Sequence, residues 1–106
     1  MPATPESKVK AAVVKLIKQY GAYYFFPATH GYGRSGVPDI ICCVKGKFLA
    51  IECKAQGKQP TALQDREINA IRTAQGIAAV ARETNLDMIE QILKELTDDS
   101  NEKGNS

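Results

Sequence analysis

Residues 36–54 read GVPDIICCVKGKFLAIECK, and this stretch predicts the centre of the fold. Two short segments rich in β-branched and apolar residues, about 39–44 and 48–54, predict strands. They flank Lys45-Gly46, a pair suited to a two-residue turn. The stretch therefore predicts an antiparallel hairpin.

The register of this hairpin decides which charged side chains meet. Alternate residues of a strand share a face, so Glu52 and Lys54 point the same way. With a two-residue turn, Val44 lies opposite Lys47, and Asp39 then lies directly across from Glu52 with side chains ~5 Å apart. A longer loop would need a bulge to keep that pairing. The sequence thus predicts a carboxylate pair beside a lysine.

Two carboxylates at that distance repel each other unless a cation lies between them. Lys54 is one candidate cation and a hard divalent metal is another, because Mg²⁺ favours one or two carboxylates with water and substrate phosphate. A surface ion pair is the plain alternative, since Glu-x-Lys is a common string. Glu52, however, lies in an otherwise apolar strand, and Asp39 follows the stiff Val37-Pro38 pair. These two features favour a functional site.

The segments around the hairpin predict the element order αβββαβα. The first helix follows Thr4-Pro5, a cap and a first-turn proline, and counting back by three from Val9 places Glu6 on its buried stripe. We expect an α/β fold with an αβββαβ core, a mixed central β-sheet flanked by helices, and a C-terminal helix. The other predicted elements are a strand over 22–27, a loop over 28–37, a helix capped by Thr61 and ended by Gly76, a strand over 77–82, and a helix that follows Asn85 as its cap.

Length and charge suggest how the chain is organised and what it binds. The 106 residues suit a single domain, which we place at 1–96, with a disordered acidic and polar tail at 97–106. Residues 1–82 carry a net charge of +7 and residues 83–106 a net charge of −5. A basic body predicts a polyanionic partner such as nucleic acid, with a merely solvated basic surface as the alternative. Lys58 is one of the basic residues that we assign to nucleic-acid contact.

A glycine-rich segment precedes the hairpin. Gly31 to Gly36 spells G-x-G-x-x-G, but it leads into Val37-Pro38 and a strand instead of opening a helix, so a dinucleotide site is not expected. A loop that presents His30, Tyr32 and Arg34 to nucleic acid fits the stacking and charge of these side chains. A surface loop with no particular role fits the same residues.

The three cysteines favour a reducing compartment. Two are adjacent, none forms C-x-x-C, and His30 is the only histidine, so neither a disulfide framework nor a zinc site is expected. We interpret them as buried, reduced thiols, which suggests the cytoplasm of a bacterial or phage-infected host cell. The first residues have no basic or apolar signal-peptide pattern, and no apolar run approaches the ~20 residues that cross a bilayer, so no membrane partner is expected.

The paired motifs Gly36-Val37-Pro38-Asp39 and Glu52-Cys53-Lys54, within this element order, resemble the PD-(D/E)XK nuclease superfamily. More narrowly they resemble the VRR-NUC family of small stand-alone phage and bacterial endonucleases, over about residues 5–84. Cys53 stands where Val or another apolar residue is common in that family. Only its backbone carbonyl would be needed, so this departure puts little in doubt.

The resemblance implies a role for each site residue. Asp39, Glu52 and the carbonyl of Cys53 would hold Mg²⁺ or Mn²⁺, while Glu6 would serve a second metal or its water shell. Lys54 would orient or deprotonate the attacking water. Gln64, near the start of the second helix, would fix the lysine or the phosphate.

We therefore expect a metal-dependent DNA endonuclease that acts on branched DNA as a homodimer, in the manner of a Holliday junction resolvase. A two-fold dimer suits paired nicks across a four-way junction. The apolar face of the third helix is either the dimer interface or packed against its own sheet. The alternative function is a non-catalytic nucleic-acid-binding module on the same fold. A protein-binding domain has no specific support.

Overall fold

The computed structural model describes residues 4–28 and 33–98. These residues form three helices and four strands in the predicted order αβββαβα. The elements are α1 Pro5–Gln19, β1 Tyr23–Phe25, β2 Ile40–Val44, β3 Lys47–Cys53, α2 Ala62–Thr73, β4 Ile77–Ala81 and α3 Leu86–Thr97. The predicted α/β architecture is therefore confirmed.

Two of the helices begin with reciprocal side-chain caps. At α1, Ser7 N–H donates to Thr4 Oγ1 at 3.0 Å, and Thr4 N–H donates to Ser7 Oγ at 2.9 Å. At α2, Gln64 N–H donates to Thr61 Oγ1 at 3.2 Å, and Thr61 N–H donates to Gln64 Oε1 at 2.9 Å. Each cap satisfies two backbone N–H groups around the helix start, which fixes where the helix begins.

The sheet is mixed, with the strand order β1-β2-β3-β4. β1 with β2 and β2 with β3 pair antiparallel, whereas β3 and β4 pair parallel. Lys45 and Gly46 both have positive φ, 53° and 82°, as a two-residue turn of the hairpin type requires. Val44 lies opposite Lys47 and Ile40 opposite Ile51, so the predicted register is confirmed without a bulge.

The sheet is covered differently on its two faces. α1 and α3 pack on one face, where the larger core contains Val9, Val13, Ile17, Ile40, Cys42, Val44, Leu49, Ile51, Cys53, Ala79, Ala81, Ile89 and Leu93. α2 packs on the other face, where Ala50, Ile68 and Ala78 form a smaller core. Because side chains alternate along β3, Glu52 and Lys54 lie on the same face as Ala50, the face that carries α2.

Gly36 fixes the segment before β2 against α2. Its φ of +81° is one that side chains rarely adopt, and a Cβ there would lie 2.5 Å from the carbonyl carbon of Leu63 and 2.9 Å from Gln64 N. Only glycine allows this close backbone approach. The contact places Asp39, three residues later, near the first turn of α2.

The C-terminal boundary differs slightly from the prediction. α3 extends through Thr97, so the first residue of the predicted tail is helical, and residues 99–106 lie outside the described part of the chain. No helix within 4–28 and 33–98 is both long and apolar enough to span a bilayer.

Candidate active site

Asp39, Glu52 and Lys54 come together where the start of β2 lies beside the end of β3. The hairpin register, carried one step beyond Ile40 and Ile51, puts Asp39 opposite Glu52. Asp39 Oδ2 accepts a hydrogen bond of 2.8 Å from Cys53 N–H, which ties its carboxylate to the end of β3. Lys54 follows at once, and its N–H donates to Ala81 O at 3.0 Å. Backbone pairing thus positions all three side chains.

Glu52 is a buried carboxylate with incomplete partners. Only 2% of the residue is exposed. Its Oε2 lies 3.7 Å from Lys54 Nζ, and the Lys54 side chain is 12% exposed. Its Oε1 is buried and has no hydrogen-bond partner among the described residues. A buried carboxylate oxygen without a partner destabilises the fold, so a ligand or cation that bound this atom would remove that unfavourable free energy.

The surroundings of Glu52 make its charged form unfavourable. The pKa of Glu52 is raised from its ordinary value of 4.5 to about 7, mainly by burial and next by the negative charge of Asp39. Lys54 opposes this shift, and Glu6 adds to it. A divalent cation between the carboxylates of Asp39 and Glu52 would favour ionisation of both.

The donor chemistry fits a hard divalent ion. The site offers carboxylate oxygens, one of them the orphaned Oε1 of Glu52, beside a second carboxylate on Asp39. Across residues 4–28 and 33–98, no three His, Cys, Asp or Glu side chains form a group that could hold a metal. Mg²⁺ is commonly bound by one or two carboxylates, with water and substrate phosphate completing its shell. The carboxylate pair suits that mode of binding.

Glu6 does not lie on a buried stripe, and that prediction is wrong. The whole first turn of α1, residues 4–8, is exposed, and Val9 is the first buried residue of the helix. Helical periodicity gives the direction of a side chain, but it cannot show that nothing packs over the first turn. Glu6 is nevertheless near enough for its charge to raise the pKa of Glu52. Its position suits the outer part of the site.

Cys53 contributes its backbone, and not its side chain, to the site. Its side chain points into the larger core on the opposite face of the sheet, where burial raises the pKa of the thiol to about 12. Because this core lies on the face of the sheet away from Glu52 and Lys54, only the backbone of Cys53 faces the site. Cys42 is also buried as expected, whereas Cys43 is exposed, because adjacent residues of β2 face opposite sides of the sheet.

Gln64 is half-buried in the first turn of α2. Its Oε1 is engaged in the helix cap with Thr61 N–H. Only the amide Nε2 group is left to act as a donor toward a substrate. The close contact with Gly36 keeps this turn next to the segment that leads to Asp39.

Arg34, expected to meet nucleic acid, forms an ion pair within the chain. Its Nε and Nη2 donate to Glu67 Oε1 and Oε2 at 3.1 and 2.8 Å. Arg66 Nη2 lies 3.4 Å from the same Oε2. Sequence reasoning missed Glu67, although helical spacing places it on the face of α2 that carries Ile71, four residues later. A charged residue on the packed face of this helix was the sequence feature that could have predicted a buried ion pair.

Of the other residues predicted to contact nucleic acid, Lys58 lies in the described part of the chain. His30 and Tyr32 lie outside the described residues. Lys58 is exposed in the loop that follows β3, and its carbonyl accepts a 2.7 Å hydrogen bond from Arg82 Nη2. Lys10, which the sequence did not single out, lies 4.3 Å from the ring centre of Phe26, and its charge also acts on Cys53.

A groove of about 670 Å³ lies beside the site on the α2 face of the sheet. Apolar side chains such as Phe25, Ile41 and Phe48 line it, with Arg34 and Glu67 as its charged members. Neither Asp39 nor Glu52 lines this groove. Val37 and Pro38, which directly precede Asp39, do line it, so the groove reaches the edge of the site.

Comparison with known proteins relates the chain to nucleases. The family described as archaeal Holliday junction resolvase matches residues 9–89. A protein of Acyrthosiphon pisum secondary endosymbiont phage 1, named "Putative nuclease p44", is 37% identical over 65 residues. That alignment covers 58% of this chain and 66% of the phage protein, just under two thirds of its length. These matches support the PD-(D/E)XK resemblance, while the narrower VRR-NUC resemblance stays a prediction.

Proposed function

Because the chain belongs to the archaeal Holliday junction resolvase family, we propose that it is a metal-dependent DNA endonuclease that prefers branched DNA. The observation that carries the proposal is the orphaned, buried Oε1 of Glu52 beside the carboxylate of Asp39. Burying an unpaired carboxylate oxygen destabilises the fold, so stability alone does not explain its position. A site that binds a cation and a phosphate does explain it, because the cation would pair with this oxygen.

Asp39 and Glu52 would hold the ion, together with the carbonyl of Cys53. A bound Mg²⁺ or Mn²⁺ would lower the pKa of an attacking water and offset charge on the phosphate oxygens. The hydrogen bond from Cys53 N–H keeps the Asp39 carboxylate fixed in direction, so little reorganisation is needed when the ion binds. Glu6, exposed at the start of α1, would act on the ion's outer waters.

In this proposal, Lys54 would act on the water and the phosphate. Its ammonium group lies 3.7 Å from Glu52 Oε2, and its backbone is fixed by the bond to Ala81 O. In that position it can orient the attacking water, take up or release a proton, and donate hydrogen bonds to the phosphate oxygens. Gln64 Nε2 is a further donor toward the same phosphate.

The proposed substrate follows from charge and family. The basic body suits the DNA backbone, whose contacts with Lys and Arg release counterions. A homodimer would present two such sites to the two strands of a four-way junction. We place this activity in the cytoplasm of a bacterial or phage-infected cell.

The test is cleavage of an end-labelled four-way junction beside its matching linear duplex, with and without Mg²⁺ or Mn²⁺. We expect metal-dependent nicks on the junction and little cutting of the duplex. Cutting of both would keep the chemistry and reject the branch preference. Binding of the junction without cleavage under any metal would favour the non-catalytic binding module instead.

Lys54→Ala tests the assigned chemistry. We expect the cleavage rate to fall by roughly 10²–10⁴-fold, because a positioned proton donor or acceptor is lost, with junction binding largely unchanged. Asp39→Asn should remove metal-dependent cleavage as well. Asp87→Asn, an isosteric change at an exposed residue of α3, is the matched control and should cleave normally. Full activity of Lys54→Ala would reject its proposed role.

A further inference from the structure

Two exposed arginines meet on one buried carboxylate next to the proposed active site. Glu67 on α2 is only 6% exposed. The side chains of Arg34 and Arg66, which both contact it, are 70% and 57% exposed. The roles assigned so far to the site do not use Glu67 or Arg66.

The contacts leave most of both guanidinium groups available. Arg34 gives Nε and one Nη2 hydrogen to Glu67, in the two-pronged geometry that arginine forms with carboxylates. Among the described residues, three of its five N–H donors remain for another acceptor. Arg66 Nη2 is shared, at 3.4 Å each, between Glu67 Oε2 and the carbonyl of Ser35. The cluster has a net charge of +1, so it remains attractive to an anion.

We infer that Arg34 and Arg66 form a clamp for a backbone phosphate of the DNA, and that Glu67 is the positioning residue that gathers them. This inference rests on the proposed function, since it names the part of the DNA that lies beside the cleaved bond. Guanidinium groups bind phosphate through paired N–H donors. Because the two side chains are held in place before DNA binds, they lose less conformational entropy on binding.

The clamp lies within reach of a strand that occupies the active site. Arg34 is five residues before Asp39, so their Cα atoms are at most ~18 Å apart. The rise of a DNA strand is ~3.4 Å per nucleotide, and that span therefore corresponds to about five nucleotides. Glu67 and Glu52 also lie on the same face of the sheet, and Gly36 fixes the intervening loop on α2.

A simpler interpretation is that Glu67 only locks the loop before β2. The two interpretations differ in the sign of one effect. Glu67→Gln removes a negative charge beside DNA, so general electrostatics predicts tighter binding. If Glu67 gathers the arginines, the same change weakens binding, because an amide offers one acceptor and turns an N–H group toward Arg34.

The experiment measures binding of a labelled four-way junction by fluorescence anisotropy in EDTA, over a series of salt concentrations. For Glu67→Gln we expect Kd to rise about threefold to tenfold. For Arg34→Ala and Arg66→Ala we expect the slope of log K against log salt to fall by about 0.9 for each lost phosphate contact. Glu95→Gln makes the same substitution on α3, on the other face of the sheet, and should bind no more weakly than the unaltered protein.

Two further readouts separate the clamp from a loop lock. Arg66→Ala leaves the Arg34–Glu67 pair in place, so loss of one phosphate contact there, with unchanged unfolding, supports the clamp. In cleavage assays the clamp variants should raise KM and leave kcat near that of the unaltered protein, whereas a displaced Asp39 would lower kcat. Tighter binding by Glu67→Gln, or an unchanged salt slope for both arginine variants, would overturn the inference. Absence of binding by the unaltered protein would instead overturn the proposed function.

Discussion

At the scale of a single residue, the ionised carboxylate of Glu52 destabilises the folded chain. Its burial and the nearby charge of Asp39 raise its pKa to about 7. The ionised carboxylate is therefore less stable in the folded chain than in the unfolded chain. The sequence signal for this was the presence of a charge in the apolar segment 48–54, and the structure adds that its Oε1 has no partner in the described residues.

The pH dependence of stability should report this carboxylate in metal-free buffer. A group whose folded pKa is raised contributes stability that is present below the unfolded pKa and is lost as the pH rises through the folded value. Between pH 4.5 and about 7, Glu52 should therefore lower the free energy of unfolding, by an amount on the order of 3 kcal/mol. Glu52→Gln should lack this loss, as judged by urea unfolding at pH 5, 6, 7 and 8.

The control for this measurement is Glu95→Gln, which removes an exposed carboxylate from α3. In this variant the free energy of unfolding should fall with rising pH as it does in the unaltered protein. If the free energy of unfolding changes with pH equally in all three proteins, then Glu52 ionises as freely in the folded chain as in the unfolded chain. Mn²⁺ should restore stability near pH 7 in the unaltered protein and in Glu95→Gln but not in Glu52→Gln, because the ion offsets the repulsion between Asp39 and Glu52.

At the scale of elements, local chemistry fixes some boundaries and leaves others to distant contacts. Thr4 and Thr61 begin their helices with the caps that the sequence predicts. Asn85 does not cap α3 with its side chain. Its Oδ1 accepts from Arg82 N–H at 2.7 Å and its Nδ2 donates to Val80 O at 2.8 Å, so the side chain ties the end of β4 to the start of α3.

Gly36→Ala tests the contact between the segment before β2 and the first turn of α2. A Cβ there would meet the Leu63 carbonyl at 2.5 Å, and the φ of +81° is itself strained for alanine. We expect a loss of about 2–4 kcal/mol in the free energy of unfolding, since overpacking and backbone strain add. Cleavage should fall as well, because the shift is passed to Asp39.

Gly57→Ala is the matched control for this change. Gly57 has a similar φ of +84°, but a Cβ there would meet no atom within 4 Å. It should cost only about 1 kcal/mol, the backbone part of the penalty. If both variants lose the same stability in chemical denaturation, then the approach of Gly36 to α2 has no energetic role.

At the scale of the whole molecule, the position of α3 decides between two uses of its apolar face. The face was expected either to form a dimer interface or to pack on the chain's own sheet. Ile89 and Leu93 are fully buried in the core shared with α1 and the sheet. The second use is therefore the one found, and a homodimer would have to form through another surface.

Leu93→Ala should accordingly unfold the chain more easily without changing its assembly. Truncating a buried leucine costs about 2–5 kcal/mol, because a cavity remains in the core. The drop in Tm should be the same at low and high protein concentration, as measured by thermal unfolding with sedimentation in parallel. Met88→Ala, at a residue of α3 that is 42% exposed, should change Tm little. A concentration-dependent loss would indicate that α3 contributes to a subunit contact.

The sequence by itself determined the hairpin, the starts of α1 and α2, and the meeting of Asp39, Glu52 and Lys54. These features follow from turn chemistry, capping and the two-residue period of strands, all of which act over a few neighbouring residues. Only the tertiary structure decided the exposure of Glu6, the cluster of Arg34, Arg66 and Glu67, and the packing of α3. Each depends on which distant segment covers a face, and periodicity gives a side chain's direction without showing what it meets there.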